Sequence, residues 1–197
     1  ITLMKKDVIT PVAMNGAGSI HDFETAIAGK TSEDVAEALK NGVFGMSEET
    51  GRLMNEAIRR GGQRGQGMGE CLGREILGRK AKYADISILA CAHRLGIPVT
   101  VHAAIGTDII NQHPECDGAS LGKTSFTDFE RLTRHVARLG GGGVVINAGS
   151  AVILPEVFLK AVSVSRNLGY KVEGFHAANL DMIQHYRPTV NVLERPV

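Results

Sequence analysis

The sequence has few cysteines, no marked excess of charge of either sign and no long apolar run. Its three cysteines, Cys71, Cys91 and Cys116, are widely spaced, which is typical of reduced thiols in a cytoplasmic protein and not of a disulfide framework. The 22 basic and 21 acidic side chains leave a formal charge of +1, so the charge does not indicate a nucleic acid partner or an anionic membrane. The apolar runs are too short for a transmembrane helix.

The length and composition predict a single α/β domain over residues 1–197. A chain of 197 residues with 43% hydrophobic content can bury one sizeable core. Residues 1–6 resemble the end of a helix and not an initiation sequence, so we expect the chain to be the C-terminal part of a longer protein. Strands and helices alternate in most of the sequence, which favours a Rossmann-like parallel sheet with helices on both faces.

Four apolar, β-branched segments are predicted to be strands, and each ends in a cluster of small and polar residues. They cover residues 8–14, 97–101, 144–146 and 172–175. In open α/β sheets, ligands bind beyond the carboxyl ends of the parallel strands. The four endings therefore predict one ligand-binding crevice at one edge of one sheet.

Residues 31–80 depart from this alternation and predict a helical and glycine-rich excursion. Residues 31–41 and 47–60 have the apolar spacing of amphipathic helices. The glycine-rich stretch 61–69 has no such spacing and no preceding strand, so it is predicted to be a mobile connector with solvated arginines. Further helices are predicted over residues 84–95, 127–139 and 155–168.

Two small-residue turns are predicted to bind a nucleotide cofactor, because glycines there would let the backbone approach a phosphate or ribose. The residues are Asn15, Gly16, Ala17 and Gly18 after the first strand, and Asn147, Ala148, Gly149 and Ser150 after the third. An alternative for the first turn is a tight strand-to-helix connection in which His21 or Asp22 only caps a helix.

Histidines and aspartates cluster near the predicted strand ends, where they would be suited to acid–base catalysis. The candidates are His102, Asp108, His113, His176, Asp181 and His185. We expect His102, His176 and Asp181 to face one crevice, with neutral histidines near pH 7. The histidine spacing is not that of a common metal motif, so no residue is assigned to a metal.

The order of these segments resembles that of deoxyhypusine synthase and its relatives. Asn15–Asp22 is similar to the family's Thr-Ala-Gly-Gly turn, residues 97–99 and 106–110 to its Ile-Pro-Val and Gly-Asp-Met-Ile segments, and Val144–Ser150 to its strand before a triple glycine. Residues 175–178 match its Ile-Asn-Thr-Ala segment, and 187–188 its Arg-Pro. The resemblance implies NAD as cofactor, with contacts from both turns, Asp22 and Ala177, and a homotetramer in the cytoplasm.

The family's catalytic lysine has no counterpart here, because no lysine follows Lys171. We therefore expect an NAD-binding enzyme that acts on a small amine or related polar substrate and does not make deoxyhypusine. Two alternatives remain open. One is a metal-dependent enzyme that uses the histidines and aspartates, and the other is a non-catalytic nucleotide-binding protein.

Overall fold

The computed structural model describes residues 1–31 and 33–197, which divide into two compact units, Ile1–Asp128 and Phe129–Val197. Helices and parallel strands occur in both units, so the α/β class predicted from the sequence is confirmed. Ser32 belongs to the predicted helix 31–41 and lies outside the described residues. The boundary between the two units falls within one helix of the chain.

The first unit contains most of the helices and one pair of strands. Its elements are α1 (Thr2–Lys5), β1 (Val12–Asn15), α2 (Gly16–Ala28), α3 (Val35–Lys40), α4 (Glu48–Gln63), α5 (Met68–Gly78), a 3₁₀ helix (Ala84–Ile86), α6 (Ile88–Leu95), β2 (Val99–His102), a second 3₁₀ helix (Ile109–Gln112) and the first part of α7 (Gly118–Val136). The helices predicted over residues 47–60 and 84–95 are confirmed in position, and α7 begins well before the predicted residue 127.

Strands β1 and β2 pair in parallel, with Val12 opposite Val99 and Asn15 opposite His102. The core of the unit contains fully buried side chains from α2, α4, α5 and α6, such as Phe23, Met54 and Leu72. The carboxyl ends of both strands therefore lie side by side, as the sequence predicted for this pair.

Side chains of α7 close the outer edge of β2. Asp128 is fully buried, and its Oδ2 accepts hydrogen bonds from the Val101 amide at 2.9 Å and the Gly69 amide at 2.8 Å. Ser125 Oγ donates to the Val101 carbonyl at 3.2 Å and accepts from the Ala103 amide at 3.0 Å. Two side chains thus make the bonds that a neighbouring strand would make.

The prediction of a mobile connector over residues 61–69 is wrong. Gly61 and Gly62 are buried in the last turn of α4, and Gly69 is buried in the first turn of α5. A Cβ atom added to Gly69 would lie 2.0 Å from the Val99 carbonyl oxygen, and one added to Gly61 would lie 2.7 Å from Cys71 Cβ. The glycines therefore allow close packing between elements, although Arg64 is exposed as predicted.

The second unit has its own pair of parallel strands. After the end of α7 it contains β3 (Val144–Ala148), α8 (Ile153–Asn167), β4 (His176–Leu180) and a helical turn (Tyr186–Pro188) that continues into a π-helix (Thr189–Glu194). Val144 lies opposite His176, and Asn147 lies opposite Asn179. In the described part of the chain, β1 pairs with β2 and β3 with β4, so these strands form two two-stranded sheets and not the one sheet expected from the sequence.

Strand β4 begins where the sequence predicted that a strand would end. Val172 and Phe175, expected within the strand, are buried in the segment before it, and Gly174 between them has a φ of 66°. The ring centroids of Phe175 and Phe158 of α8 lie 6.2 Å apart in an edge-to-face arrangement. These side chains serve the core of the unit, while the pairing with β3 starts at His176. No helix among the described residues has the length and apolar character needed to cross a membrane.

Candidate functional site

The first small-residue turn forms the beginning of α2. Asn15, the last residue of β1, accepts a hydrogen bond from the Gly18 amide on its Oδ1 at 2.7 Å. This contact is the usual helix N-cap, which satisfies one of the amides left free at a helix start. The Ser19 hydroxyl also donates to the Gly16 carbonyl at 2.7 Å. The turn therefore has a clear structural role in starting α2.

The Asp108 carboxylate lies against the backbone of Gly16. A Cβ atom added to Gly16 would lie 1.9 Å from Asp108 Oδ2 and 2.3 Å from its Cγ, so only glycine leaves room for this contact. Burial raises the pKa of Asp108, while a hydrogen bond from the Ala104 amide at 3.4 Å lowers it to a lesser degree. Gly16, the first residue of α2, thus has a carboxylate beside it where a cofactor phosphate was expected.

Asp22, which the resemblance assigns to NAD, caps a neighbouring helix. Its carboxylate accepts hydrogen bonds from Ser87 Oγ at 2.6 Å, the Ile88 amide at 2.7 Å and the Leu89 amide at 3.0 Å. Ser87 itself caps α6 by accepting from the Ala90 amide at 3.0 Å. The capping alternative considered from the sequence therefore describes Asp22, but the capped helix is α6 and not α2.

His102 is a buried histidine at the carboxyl end of β2. Its Nε2 lies 3.0 Å from Thr100 Oγ1, two residues earlier on the same strand. Burial lowers the pKa of His102 to about 4, so the ring is neutral near pH 7, as expected from the sequence. Only 4% of the residue is exposed, which suits a histidine whose polar atoms are satisfied inside the protein.

His113 packs on α4. A Cβ atom added to Gly51 of α4 would lie 2.4 Å from His113 Cδ2, so the ring and the helix are in close contact. Its Nδ1 accepts a hydrogen bond from the Glu115 amide at 3.2 Å. These contacts give His113 a structural role between α4 and the following loop.

A cavity of about 790 Å³ lies beside α2 in the first unit. This volume is in the range of small-molecule sites. One face of α2 forms one wall, and the other walls come from residues around α3, from the start of α4 and from the loop after β2. The lining residues are Ala17, Ile20, His21, Phe23, Glu24, Ile27, Ala28, Lys30, Thr31, Glu33, Val35, Phe44, Ser47, Glu49, Thr50, Thr107, Asp108 and Ile109. Of the predicted site residues, the cavity brings together Ala17 and Asp108.

The cavity walls carry more acidic than basic side chains. Among the described lining residues, four are carboxylates and one is a lysine; they are Glu24, Glu33, Glu49, Asp108 and Lys30. Glu24 accepts hydrogen bonds from Thr31 Oγ1 at 2.5 Å and Thr50 Oγ1 at 3.0 Å, which fixes its position in the wall. Glu24 is not among the site residues predicted from the sequence, although it follows His21 by one helical turn and so shares its face of α2.

The second small-residue turn lies in the other unit. Asn147 is buried, and its Nδ2 donates to Asn179 Oδ1 at 2.7 Å and to the Ser150 carbonyl at 2.9 Å. Ser150 Oγ accepts from the Leu154 amide at 3.2 Å, near the start of α8. Gly149 has a φ of 64°, and a Cβ atom there would meet nothing within 4 Å. Ala148 and Gly149 are therefore exposed, while Asn147 and Ser150 serve the local structure.

The predicted placement of His176 and Ala177 beyond a strand end is wrong. His176 is the first residue of β4 and Ala177 the second, whereas Asp181 directly follows the last. At about 3.3 Å per residue, His176 and Asp181 lie roughly 16 Å apart along the strand, so they do not form one acid–base group. Asp181 Oδ1 accepts from the Ile183 amide at 3.4 Å, and His185 directly precedes the helical turn at Tyr186.

Within residues 1–31 and 33–197, no group of three or more His, Cys, Asp or Glu is arranged to hold a metal ion. Comparison with protein-family models, curated proteins and solved structures finds no match for this chain. The resemblance to deoxyhypusine synthases, the homotetramer and the cytoplasmic location therefore stay predictions.

The NAD cofactor that the resemblance implies does not fit the turn at the start of α2. The buried Asp108 carboxylate lies beside Gly16, where the phosphates of NAD were expected, and like charges repel. Asp22, the residue expected to contact NAD, uses its carboxylate to cap α6. NAD binding near Ala148 and Gly149 in the second unit stays a prediction.

Proposed function

We propose that the first unit binds a small organic amine in the cavity beside α2. The observation that carries this proposal is the excess of carboxylates in the cavity wall, four against one lysine among the described residues. A protonated amine would be attracted by these charges, and the apolar side chains of Ile20, Phe23 and Ile27 would contact its carbon chain. An acidic cavity of this kind disfavours anionic ligands.

Two of the carboxylates have different properties and would take different roles. Glu24 is held by the hydroxyls of Thr31 and Thr50, so it is suited to bind and orient the ammonium group. Burial raises the pKa of Asp108, so this group would exchange a proton with the amine closer to neutral pH than an ordinary aspartate. Turnover of an amine would make the protein an enzyme, and binding without turnover would favour the non-catalytic alternative.

The order of strands and helices is compatible with the Rossmann-like arrangement that the sequence predicted, and we keep that arrangement as part of the proposal. The described strands form two parallel pairs, which support the α/β class and parallel pairing. The amine proposal rests on the cavity and does not depend on the Rossmann-like arrangement.

Calorimetric titration with butylamine, diaminobutane, butanol and butyrate tests the proposal. We expect the two amines to bind, and the neutral and anionic compounds of similar size to bind at least about tenfold more weakly, which corresponds to about 1.4 kcal/mol. Glu24→Gln should weaken amine binding by a similar factor, because it removes the charge and keeps the shape.

Glu37→Gln is the matched control. Glu37 lies on α3 outside the cavity wall and forms an exposed ion pair with Lys40 at 2.9 Å, so its substitution should leave amine binding unchanged. The proposal is wrong if butanol binds as well as butylamine, or if Glu24→Gln has no more effect than Glu37→Gln.

A further inference from the structure

Residues 33–46, which include α3, line the cavity but contribute little to the core. None of the six residues of α3 is buried, and its apolar side chains Val35 and Leu39 are 49% and 65% exposed. Val35 and Phe44 nevertheless line the cavity, together with Ile27 of α2. A helix of six residues is too short to be stable by itself and depends on the burial of an apolar face. The apolar face of α3 is therefore incompletely buried in this structure.

Hydrogen bonds fix both sides of this segment. On one side, Gln112 Nε2 donates to the Phe44 carbonyl at 2.8 Å. On the other side, Thr31 Oγ1 donates to Glu24 of α2 at 2.5 Å. Between α3 and Phe44, Gly42 has a φ of 68°, a backbone conformation that favours glycine. The fixed sides and the glycine joint would allow α3 to move towards α2 while Phe44 stays in place.

Carboxylates lie on both sides of the cavity and oppose such a movement while the cavity is empty. Glu33 belongs to the segment, and its Oε1 accepts a hydrogen bond from the Gly45 amide at 2.9 Å. Glu24 on α2 and Glu49 on α4 line other walls. Movement of the segment towards α2 brings these like charges closer together, which costs free energy unless a cation lies between them.

We propose that residues 33–46 form a lid that closes over the cavity when a positively charged group enters it. The cation compensates the carboxylates on both sides of the cavity, and Val35 becomes buried against Ile27 and the carbon chain of the ligand. The identity of the ligand rests on the proposed amine function. The lid rests on the exposed apolar face of α3 and on the placement of Glu33 opposite the carboxylates of the other walls.

Hydrogen exchange measured by mass spectrometry on peptides that cover residues 33–46 tests the lid. Butylamine is the probe, and calorimetry shows whether it is bound. We expect saturating butylamine to slow the exchange of the α3 amides by at least about threefold, because closure protects them from solvent. Butanol at the same concentration should not slow this exchange, since it carries no charge.

Glu49→Gln tests the lid without a ligand, and Glu48→Gln is its matched control. Both glutamates lie in the first turn of α4, but Glu49 lines the cavity, whereas Glu48 forms an ion pair with Arg52 at 3.4 Å. Loss of the Glu49 charge reduces the repulsion that opposes closure, so the α3 amides should exchange at least about twofold more slowly than in wild type. Glu48→Gln should not slow their exchange.

Unchanged exchange in α3 with butylamine bound would overturn the lid and leave the amine proposal intact. Equal exchange of the α3 amides in Glu49→Gln and Glu48→Gln would overturn the lid as well. If butylamine does not bind, the amine proposal fails, and the comparison of the two variants alone decides whether the lid exists.

Discussion

Replacement of Asp128 should strongly destabilise the first unit, because this carboxylate is the shared acceptor of two backbone amides. Asp128 is fully buried, and the Val101 and Gly69 amides donate to the same oxygen at 2.9 and 2.8 Å. In Asp128→Ala, both amides lose their acceptor inside the protein. Each buried amide without a partner costs about 1–3 kcal/mol, so we expect a loss of about 2–6 kcal/mol. That is a large part of the stability of an ordinary domain.

Asp128→Asn is the informative comparison. The amide oxygen of Asn can accept from the same two donors, but without the charge, which makes such bonds roughly half as strong. We therefore expect Asp128→Asn to lose clearly less stability than Asp128→Ala.

Urea unfolding followed by circular dichroism measures both losses, since the chain has no tryptophan to serve as a fluorescent probe. Hydrogen exchange resolves the local effect, and the amides of Val101 and Gly69 should exchange much faster in Asp128→Ala. The reasoning is refuted if the two variants lose the same stability, or if these amides keep wild-type protection in Asp128→Ala.

Two further predictions concern titratable groups in the first unit. Burial holds the pKa of His102 at about 4, against 6.5 in the unfolded chain. As the pH falls, the unfolded state therefore binds the extra proton first, and the free energy of unfolding should fall by about 3 kcal/mol between pH 6.5 and pH 4. Urea titrations across this range should show a shallower fall in His102→Gln, and an unchanged slope would contradict the assignment. Burial, with a smaller contribution from Asp128, raises the pKa of Cys71 to about 12, so iodoacetamide at pH 8 should label the half-buried Cys116 well before Cys71. Peptide mass spectrometry gives the order of labelling, and equal rates in the native protein would count against it.

Apolar spacing predicted the helices of the first unit better than it predicted their packing. The spacing placed α4 within a few residues, because that helix has a clear apolar face. The same spacing failed over residues 61–69, where the contacts are made by glycines. Gly69 approaches the Val99 carbonyl, and Gly73 would place a Cβ atom 2.5 Å from the Leu89 carbonyl. Close contacts between glycines and backbone carbonyls leave no hydrophobic pattern, so a packed glycine-rich segment and a flexible loop have similar sequences.

The strand at residues 176–180 shows why strand pairing is harder to predict than helix formation. Val172 and Phe175 have the apolar character of a strand, but both side chains are buried and pack inside the second unit. The pairing partner β3 is far away in sequence, and its register places Val144 opposite His176. Because the register depends on this distant partner, local residue types gave a strand that ended too early and moved His176 to the wrong end.

The site could be predicted in part because some of its residues follow strand ends. The turn at Asn15 and the neighbouring end of β2 were correctly placed together. The contact between Asp108 and Gly16 and the capping of α6 by Asp22 depend on the folded arrangement, which no local pattern encodes. Glu24, Glu33 and Glu49 come from separate segments that meet at the cavity.

The contacts of Ser125 and Asp128 with β2 determine where the first sheet could be extended. These side chains already use the Val101 amide and carbonyl and the Ala103 amide. A strand from another chain that approached this side would have to displace two side chains of α7 before it formed its first backbone bond. Intermolecular strand addition is therefore blocked on the β2 side, and any extension of this sheet, in assembly or in aggregation, would have to begin next to β1.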